Sequence, residues 1–229
     1  ITKGYFMITI KGFTNEQISY MNQSDYSKIS PFLWNKKGID RNNATEALFK
    51  FKKCLDNFNL KFWLVYGTAL GLYRDGDFIP WDDDVDTHVL SSEFVPIFYE
   101  LRNFLIQNDF VVRAVHRGKG SKMSLFFKGI KLQIQGIYDF EKDPTMVQTM
   151  LFQYPKKFYE NYETVNYKGE EFRLPGPKDE YLTFCYDDSW STPQDIPDWK
   201  DYMNPEQLKD ASWLSAHKAH NRNNDKWKK

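Results

Sequence analysis

Cysteine is scarce in this chain, with only Cys54 and Cys185 among 229 residues. Two such distant thiols exclude a disulfide framework and offer no zinc-ligand spacing. Cys54 falls on the apolar face of an expected helix and reads as core. Net charge is missing as well, because Lys+Arg and Asp+Glu both number 31. A protein that binds nucleic acid by releasing counterions needs a basic excess, so that class is set aside. A small nucleotide substrate stays open. No apolar run approaches the roughly 20 residues of a membrane-spanning helix. No secretory leader is legible, and the first residue is Ile1 rather than methionine, so further sequence is expected upstream. Internal repeats are absent. What the chain has in quantity is aromatic side chains, 17% of residues, and 10 prolines. A chain of this length suits one domain that buries roughly 70% of its unfolded surface.

The densest information lies between Tyr66 and Leu90, YGTALGLYRDGDFIPWDDDVDTHVL. Asp82, Asp83, Asp84 and Asp86 fall within five positions. Two bare carboxylates roughly 5 Å apart repel by about 3 kcal/mol at an effective dielectric near 20. A folded chain keeps such a cluster when a cation or several donors offset the repulsion. On a strand, alternation would point Asp82, Asp84 and Asp86 to one face and Asp83 with Val85 to the other. Hard oxygen ligands in that row suit Mg²⁺ or Mn²⁺. Two plainer readings compete with a metal row. An EF-hand loop counted from Asp82 reaches Glu93 at its twelfth position, but Thr87 occupies the position that requires glycine. A solvated acidic turn fits poorly with Val85, Val89 and Leu90, which read as a strand entering the core.

Upstream, Leu60–Tyr66 is a short run of strand formers, and Gly67-Thr68 ends it. Ala69–Arg74 then reads as one or two helical turns, whose start is a seat for an anion. Arg74 offers a cation suited to phosphate. Strand, Gly-Thr, helix start and, about 15 residues on, Asp-x-Asp together outline a nucleotidyltransferase site.

This segment resembles the signature of the LicD family. That family is a branch of the nucleotidyltransferase superfamily holding bacterial phosphocholine transferases and fukutin-type pentitol-phosphate transferases. The matching residues are Tyr66-Gly67-Thr68-x-Leu70-Gly71 and Arg74-x-Gly76-x-Phe78-Ile79-Pro80-Trp81-Asp82-Asp83-Asp84-Val85-Asp86. A second patch fits downstream: Leu174-Pro175, Glu180-Tyr181-Leu182 and Tyr186-Asp187-Asp188-Ser189-Trp190-Ser191-Thr192-Pro193. Two departures stand out. Asp187 replaces a glycine of the pattern, and Gln133 sits where the family carries a third acid. Either Asp139, six residues on with the same parity, substitutes as the third acid, or the site manages with fewer carboxylates.

The resemblance implies transfer of a phospho-alcohol group, phosphocholine or a polyol phosphate, from a CDP-linked donor to a sugar hydroxyl, with release of CMP. The acceptor would be a glycan, a polyol phosphate or a lipid-linked sugar, as in the modification of cell-surface polysaccharide. Two other functions stay open: transfer of a nucleoside monophosphate to a small molecule or protein, and a non-catalytic scaffold with a degenerate site. Asp84 and Asp86 are the expected metal ligands. Asp82 would complete the shell or act as general base, and Asp83 would cap the turn. The donor diphosphate would lie against Gly67 and Thr68, with Arg74 as its cation unless a salt bridge to Asp75, Asp77 or a motif aspartate claims it. Trp81 and Trp190 would stack on the base or the transferred group, or serve as core pillars. Tyr66 reads as wall, and His88 as a support behind the metal row or a buried hydrogen-bonded histidine. Lys131, Gln133 and Gln135 alternate onto the presumed site face. The compartment follows the source: cytoplasmic in a bacterium, the secretory lumen with an anchor outside this sequence in a eukaryote.

The expected fold is α/β (α+β): a small, mixed nucleotidyltransferase-like sheet with helices on one face, followed by a helical or irregular second half. The whole of 1–229 reads as one catalytic domain. Within it, 1–40 forms a packing arm with a short strand at 5–11, 41–140 the core, 141–218 the second half, and 219–229 a disordered tail. Within the core, Asn43 with Glu46 makes a capping box ahead of a helix whose apolar stripe runs from Ala44 to Phe58. Ser91 or Ser92 opens a second helix with Pro96 in its first turn. Strands follow at Phe110–Arg117, Lys122–Lys128 and Ile130–Tyr138.

Overall fold

The computed structural model describes residues 14–21, 23–34, 38–150 and 152–193. The expected strand at 5–11 and the tail at 219–229 lie outside the described residues. The arm contributes helices α1 (Asn15–Tyr20) and α2 (Gln23–Leu33). α3 (Arg41–Asp56) buries Ala44, Ala47, Leu48, Phe51, Cys54 and Leu55, the stripe that its 3.6-residue period demands. Its cap is Asp40, whose carboxylate accepts the Asn43 N–H at 2.9 Å, so the helix starts ahead of the expected Asn43 box. Then come β1 (Phe62–Leu64), α4 (Tyr66–Leu70), a π-helical turn at Gly71–Asp75, and β2 (Asp84–Leu90).

After β2 the single helix expected from the sequence is two, α5 (Ser91–Phe94) and α6 (Phe98–Gln107). Pro96 lies in the turn between them, where it has no N–H to continue the helix. Ser91 does not cap; its hydroxyl donates to the Lys119 carbonyl at 2.6 Å. β3 (Val111–Val115), β4 (Lys122–Phe127) and β5 (Ile130–Asp139) sit where the alternation places them. The second half corrects its reading as helical or irregular. It carries β6 (Met146–Gln148), β7 (Gln153–Pro155), α7 (Lys157–Glu160), β8 (Glu163–Tyr167), β9 (Glu170–Leu174) and α8 (Lys178–Tyr186). β8 and β9 are joined through Lys168-Gly169, both at positive φ. That is a primed hairpin turn without the usual Asn or Asp to announce it.

The strands form one mixed sheet in the order β3-β4-β5-β2-β1-β9-β8, with β6 on β5 and β7 on β6. β2 runs parallel to β5, and β1 parallel to β9; the other pairs are antiparallel. Residues directly opposite share a face. Val85–Leu132, Thr87–Ile134 and Val89–Gly136 therefore point to one side, and Asp84–Lys131, Asp86–Gln133 and His88–Gln135 to the other. α3 and α6 cover the first side, with Phe51 edge-on to Phe62 at 5.2 Å and Phe58 to Phe104 at 5.4 Å. Val85, Val89, Leu132, Ile134, Leu101 and Leu105 are fully buried there. Each such side chain contributes about 1.5–3 kcal/mol relative to exposure. α3 and α6 thus lie on one face as expected, but the polar face also carries a helix, α7, whose Tyr159 packs on His88 and Trp63. The arm covers the β3–β4 edge of the same polar face, through Ile18 and Leu33 on Val111 and Phe126.

Candidate metal and substrate site

The site forms where β1 ends beside the start of β2. Val65 is extended, Tyr66 turns into the left-handed region, and α4 begins. The turn is held from both sides. The Val65 N–H donates to the Asp86 carbonyl at 3.1 Å, and the Asp86 N–H donates to the Thr68 hydroxyl at 3.0 Å. Thr68 therefore ties the acidic strand β2 to the Gly67-Thr68 turn. Gly67 lies against Asp82, where a Cβ would collide with the carboxylate oxygen Oδ2. Tyr66 is wall, as its sequence context implied. Its hydroxyl bonds to that of Tyr154, and its N–H donates to the Tyr181 hydroxyl at 3.2 Å.

The acidic row differs from strict alternation. β2 begins only at Asp84, and the Asp82 N–H closes a turn onto the Ile79 carbonyl at 3.1 Å. Carboxylate oxygens of Asp82, Asp83 and Asp84 lie within 4.8 Å of one another, a group able to hold a cation. Asp83 thus joins the cluster from which alternation excluded it, because strand geometry does not extend into the turn. Its carbonyl also accepts the indole N–H of Trp34. Asp86 sits one strand step deeper than Asp84. Gln133 bridges the two, with Nε2 at 2.9 Å from Asp84 Oδ2 and 3.1 Å from Asp86 Oδ1. Lys131 Nζ is 2.7 Å from the same Asp84 oxygen.

Charge at this floor is under-compensated. Burial first, then the neighbouring Asp84, pushes the Asp82 carboxyl up to about 7. The same two causes hold Asp86 well above the usual carboxylate range, against a lowering influence from Lys131. A cation bound here would reverse both shifts. The donor set is all hard oxygen, and the cluster already draws an ammonium to one side, so the residues fit Mg²⁺ or Mn²⁺. His88 lies behind the row, fully buried, with Nδ1 2.7 Å from the Tyr159 hydroxyl. Burial drives its imidazole down to about 3, so it is neutral and serves as packing.

Not every expected residue converges. Asp139 is excluded as a third acid. It lies six residues along β5 from Gln133, roughly 20 Å at strand rise. Its exposed carboxylate pairs with Lys156 at 2.9 Å. Parity put it on the correct side of the strand, but parity carries no distance. Arg74 is engaged: its guanidinium grips Asp75 with Nε and Nη2 at 2.8 Å each and donates Nη1 to the Trp190 carbonyl at 3.0 Å. It pins the segment after α8 rather than standing open to phosphate. Trp190 stacks on Tyr73 at 6.0 Å, and its indole N–H donates to Thr183 at 3.1 Å, so it acts as a pillar. Trp81, by contrast, is 46% exposed next to Asp82 and has no ring partner among the described residues. Sequence reasoning missed Trp34, whose ring sits 4.0 Å from Lys131 Nζ. An aromatic residue in an irregular arm gives no signal of where it docks.

Residues 59–179 match the family described as LicD/FKTN/FKRP, nucleotidyltransferase domain. The protein named ribitol-5-phosphate transferase FKTN from Macaca fascicularis is 29% identical over 170 residues, covering 70% of this chain and 36% of that relative. Its Homo sapiens counterpart is 28% identical with the same coverage. The chain therefore spans little more than a third of these relatives. Among solved structures, a putative nucleotidyltransferase from Thermotoga maritima is 17% identical, with a TM-score of 0.42, covering 64% of this chain and 86% of that one.

Proposed function

This chain belongs to the LicD/FKTN/FKRP nucleotidyltransferase-domain family, and on that footing we propose that it transfers a phospho-alcohol group from a CDP-linked donor to a sugar hydroxyl. The alcohol favoured by its relatives' names is ribitol. The observation that carries the reading is the joining of Gly67-Thr68 to the Asp82–Asp86 cluster through the Thr68–Asp86 hydrogen bond. It sets a phosphate turn and a carboxylate cluster on one floor.

A divalent cation held by Asp82, Asp84 and Asp86, with Asp83 beside them, would neutralise phosphate charge when bound. The chain's own residues do the rest. Gly67 leaves room for the Asp82 carboxylate against the turn from which the diphosphate would be held. Asp82, where it does not complete the metal shell, takes the proton of the acceptor hydroxyl. The acceptor oxygen then bonds to the phosphorus bearing the alcohol, that phosphorus loses its bond to the bridging oxygen, and CMP leaves. Trp81 offers an exposed ring at the rim for the base or the sugar acceptor.

The test is CMP release from CDP-ribitol, CDP-choline and related donors with a glycan acceptor and Mg²⁺. Release with one donor, abolished by Asp84→Asn and by Asp86→Asn with unchanged circular dichroism, supports the reading. Consumption of ATP or CTP with no CDP-alcohol turned over would replace it with nucleotidyl transfer.

A further inference from the structure

We propose that Lys131 and Gln133 restrict the acidic site to a single divalent cation, with the Lys131 ammonium standing permanently where a second would sit. The inference rests on the metal-dependent reading above and adds the number of ions and the residues that set it.

Three observations support it. Lys131 Nζ and Gln133 Nε2 both donate to the same oxygen, Asp84 Oδ2, at 2.7 and 2.9 Å. Gln133 Nε2 also reaches Asp86 Oδ1 at 3.1 Å. Both side chains are placed by the sheet itself, since Lys131 lies opposite Asp84 and Gln133 opposite Asp86 in the parallel ladder. Finally, the Trp34 ring lies 4.0 Å from the ammonium, so an aromatic face as well as a carboxylate holds it in place.

Two-metal sites keep their ions about 3.5–4 Å apart, bridged by shared carboxylate oxygens. Here the β5 side of Asp84 is filled by a charged donor and a neutral amide, neither of which supplies an anionic ligand. A second dication on that side would have to expel the ammonium and would find Gln133 in place of a carboxylate. Carboxylate oxygens of Asp82, Asp83 and Asp84 lie within 4.8 Å of one another, the group in which one ion fits. Lys131 thus supplies a fixed positive charge beside the metal that needs no loading.

The experiment counts Mn²⁺ bound to metal-stripped protein by electron paramagnetic resonance of the free ion, with and without CMP. Melting is measured in parallel. One Mn²⁺ per wild-type chain is expected, rising to two in Gln133→Asp/Lys131→Met. In Lys131→Met alone the metal-free melting temperature should fall, and the rise caused by Mn²⁺ should exceed that of the wild type. Two ions on the wild type would overturn the inference and leave the metal reading intact. No ion on either protein would overturn both. A Gln133→Asp/Lys131→Met variant that folds and still binds one ion would show that these two residues do not set the number. A metal-free Lys131→Met protein that melts like the wild type would remove Lys131 as the counter-charge.

Discussion

Gly67 and Asp82 compete for one space: the carboxylate oxygen Oδ2 of Asp82 lies where a Cβ on Gly67 would be. The glycine is required by close approach, not by turn geometry. Gly67→Ala should displace Asp82 from the cluster, with overpacking strain of about 1–3 kcal/mol. The expected result is a lower melting temperature together with weaker Mn²⁺ binding. Unchanged metal affinity would show that Asp82 is not held by this contact.

Asp139→Asn separates strand parity from distance. The residue forms a surface pair with Lys156, and such pairs contribute about 0–1 kcal/mol. Stability and CMP release should therefore stay close to wild type, whereas Asp86→Asn abolishes release. A severe defect in Asp139→Asn would restore it to the site.

The metal-free protein should show an acid-side gain in stability that depends on Asp82. Its carboxyl, at about 7 in the folded chain, titrates near 3.9 when unfolded. Between those values the folded chain holds a proton that the unfolded chain has released, so stability from this group rises as pH falls through the window. The slope is at most about 1.4 kcal/mol per pH unit. His88, held at about 3 by burial, acts in the opposite direction below its unfolded value and cancels when variants are compared. Urea unfolding of wild type and Asp82→Asn at pH 5 and pH 7.5 should show the wild type gaining on the variant at pH 5. A difference independent of pH would contradict the shift.

Arg74→Lys should loosen the segment around Trp190. Lysine keeps the charge but cannot grip both Asp75 oxygens and the Trp190 carbonyl from one planar head. Faster proteolysis after α8 with little change in the affinity for CMP is expected. A large loss of nucleotide affinity would instead give Arg74 a direct phosphate contact.

Much of the fold was legible because its signals are local. The stripe from Ala44 to Leu55 needs only a 3.6-residue period, and β3, β4 and β5 need only alternation and glycine turns. The limits appear where distant segments decide. β9 has only Phe172 and Leu174 to bury between Glu170, Glu171 and Arg173, a pattern that gains meaning only beside β1. Pro96 was tolerable within a helix by position, yet the chain turns there instead.

The site divides in the same way. Sequence alone determined which residues hold oxygen at the right spacing, Asp82, Asp84 and Asp86 after Gly67-Thr68, because ligand type and local order are written in the chain. Only tertiary structure decided what those carboxylates meet: Asp83 drawn into the cluster, Asp139 sent far down the strand, Arg74 bound to Asp75 and Trp190, and Lys131 seated on Asp84 under Trp34. Distances between segments depend on strand register and on the docking of the arm. Those are set by burial and hydrogen bonding summed over the whole sheet, and no single segment encodes them.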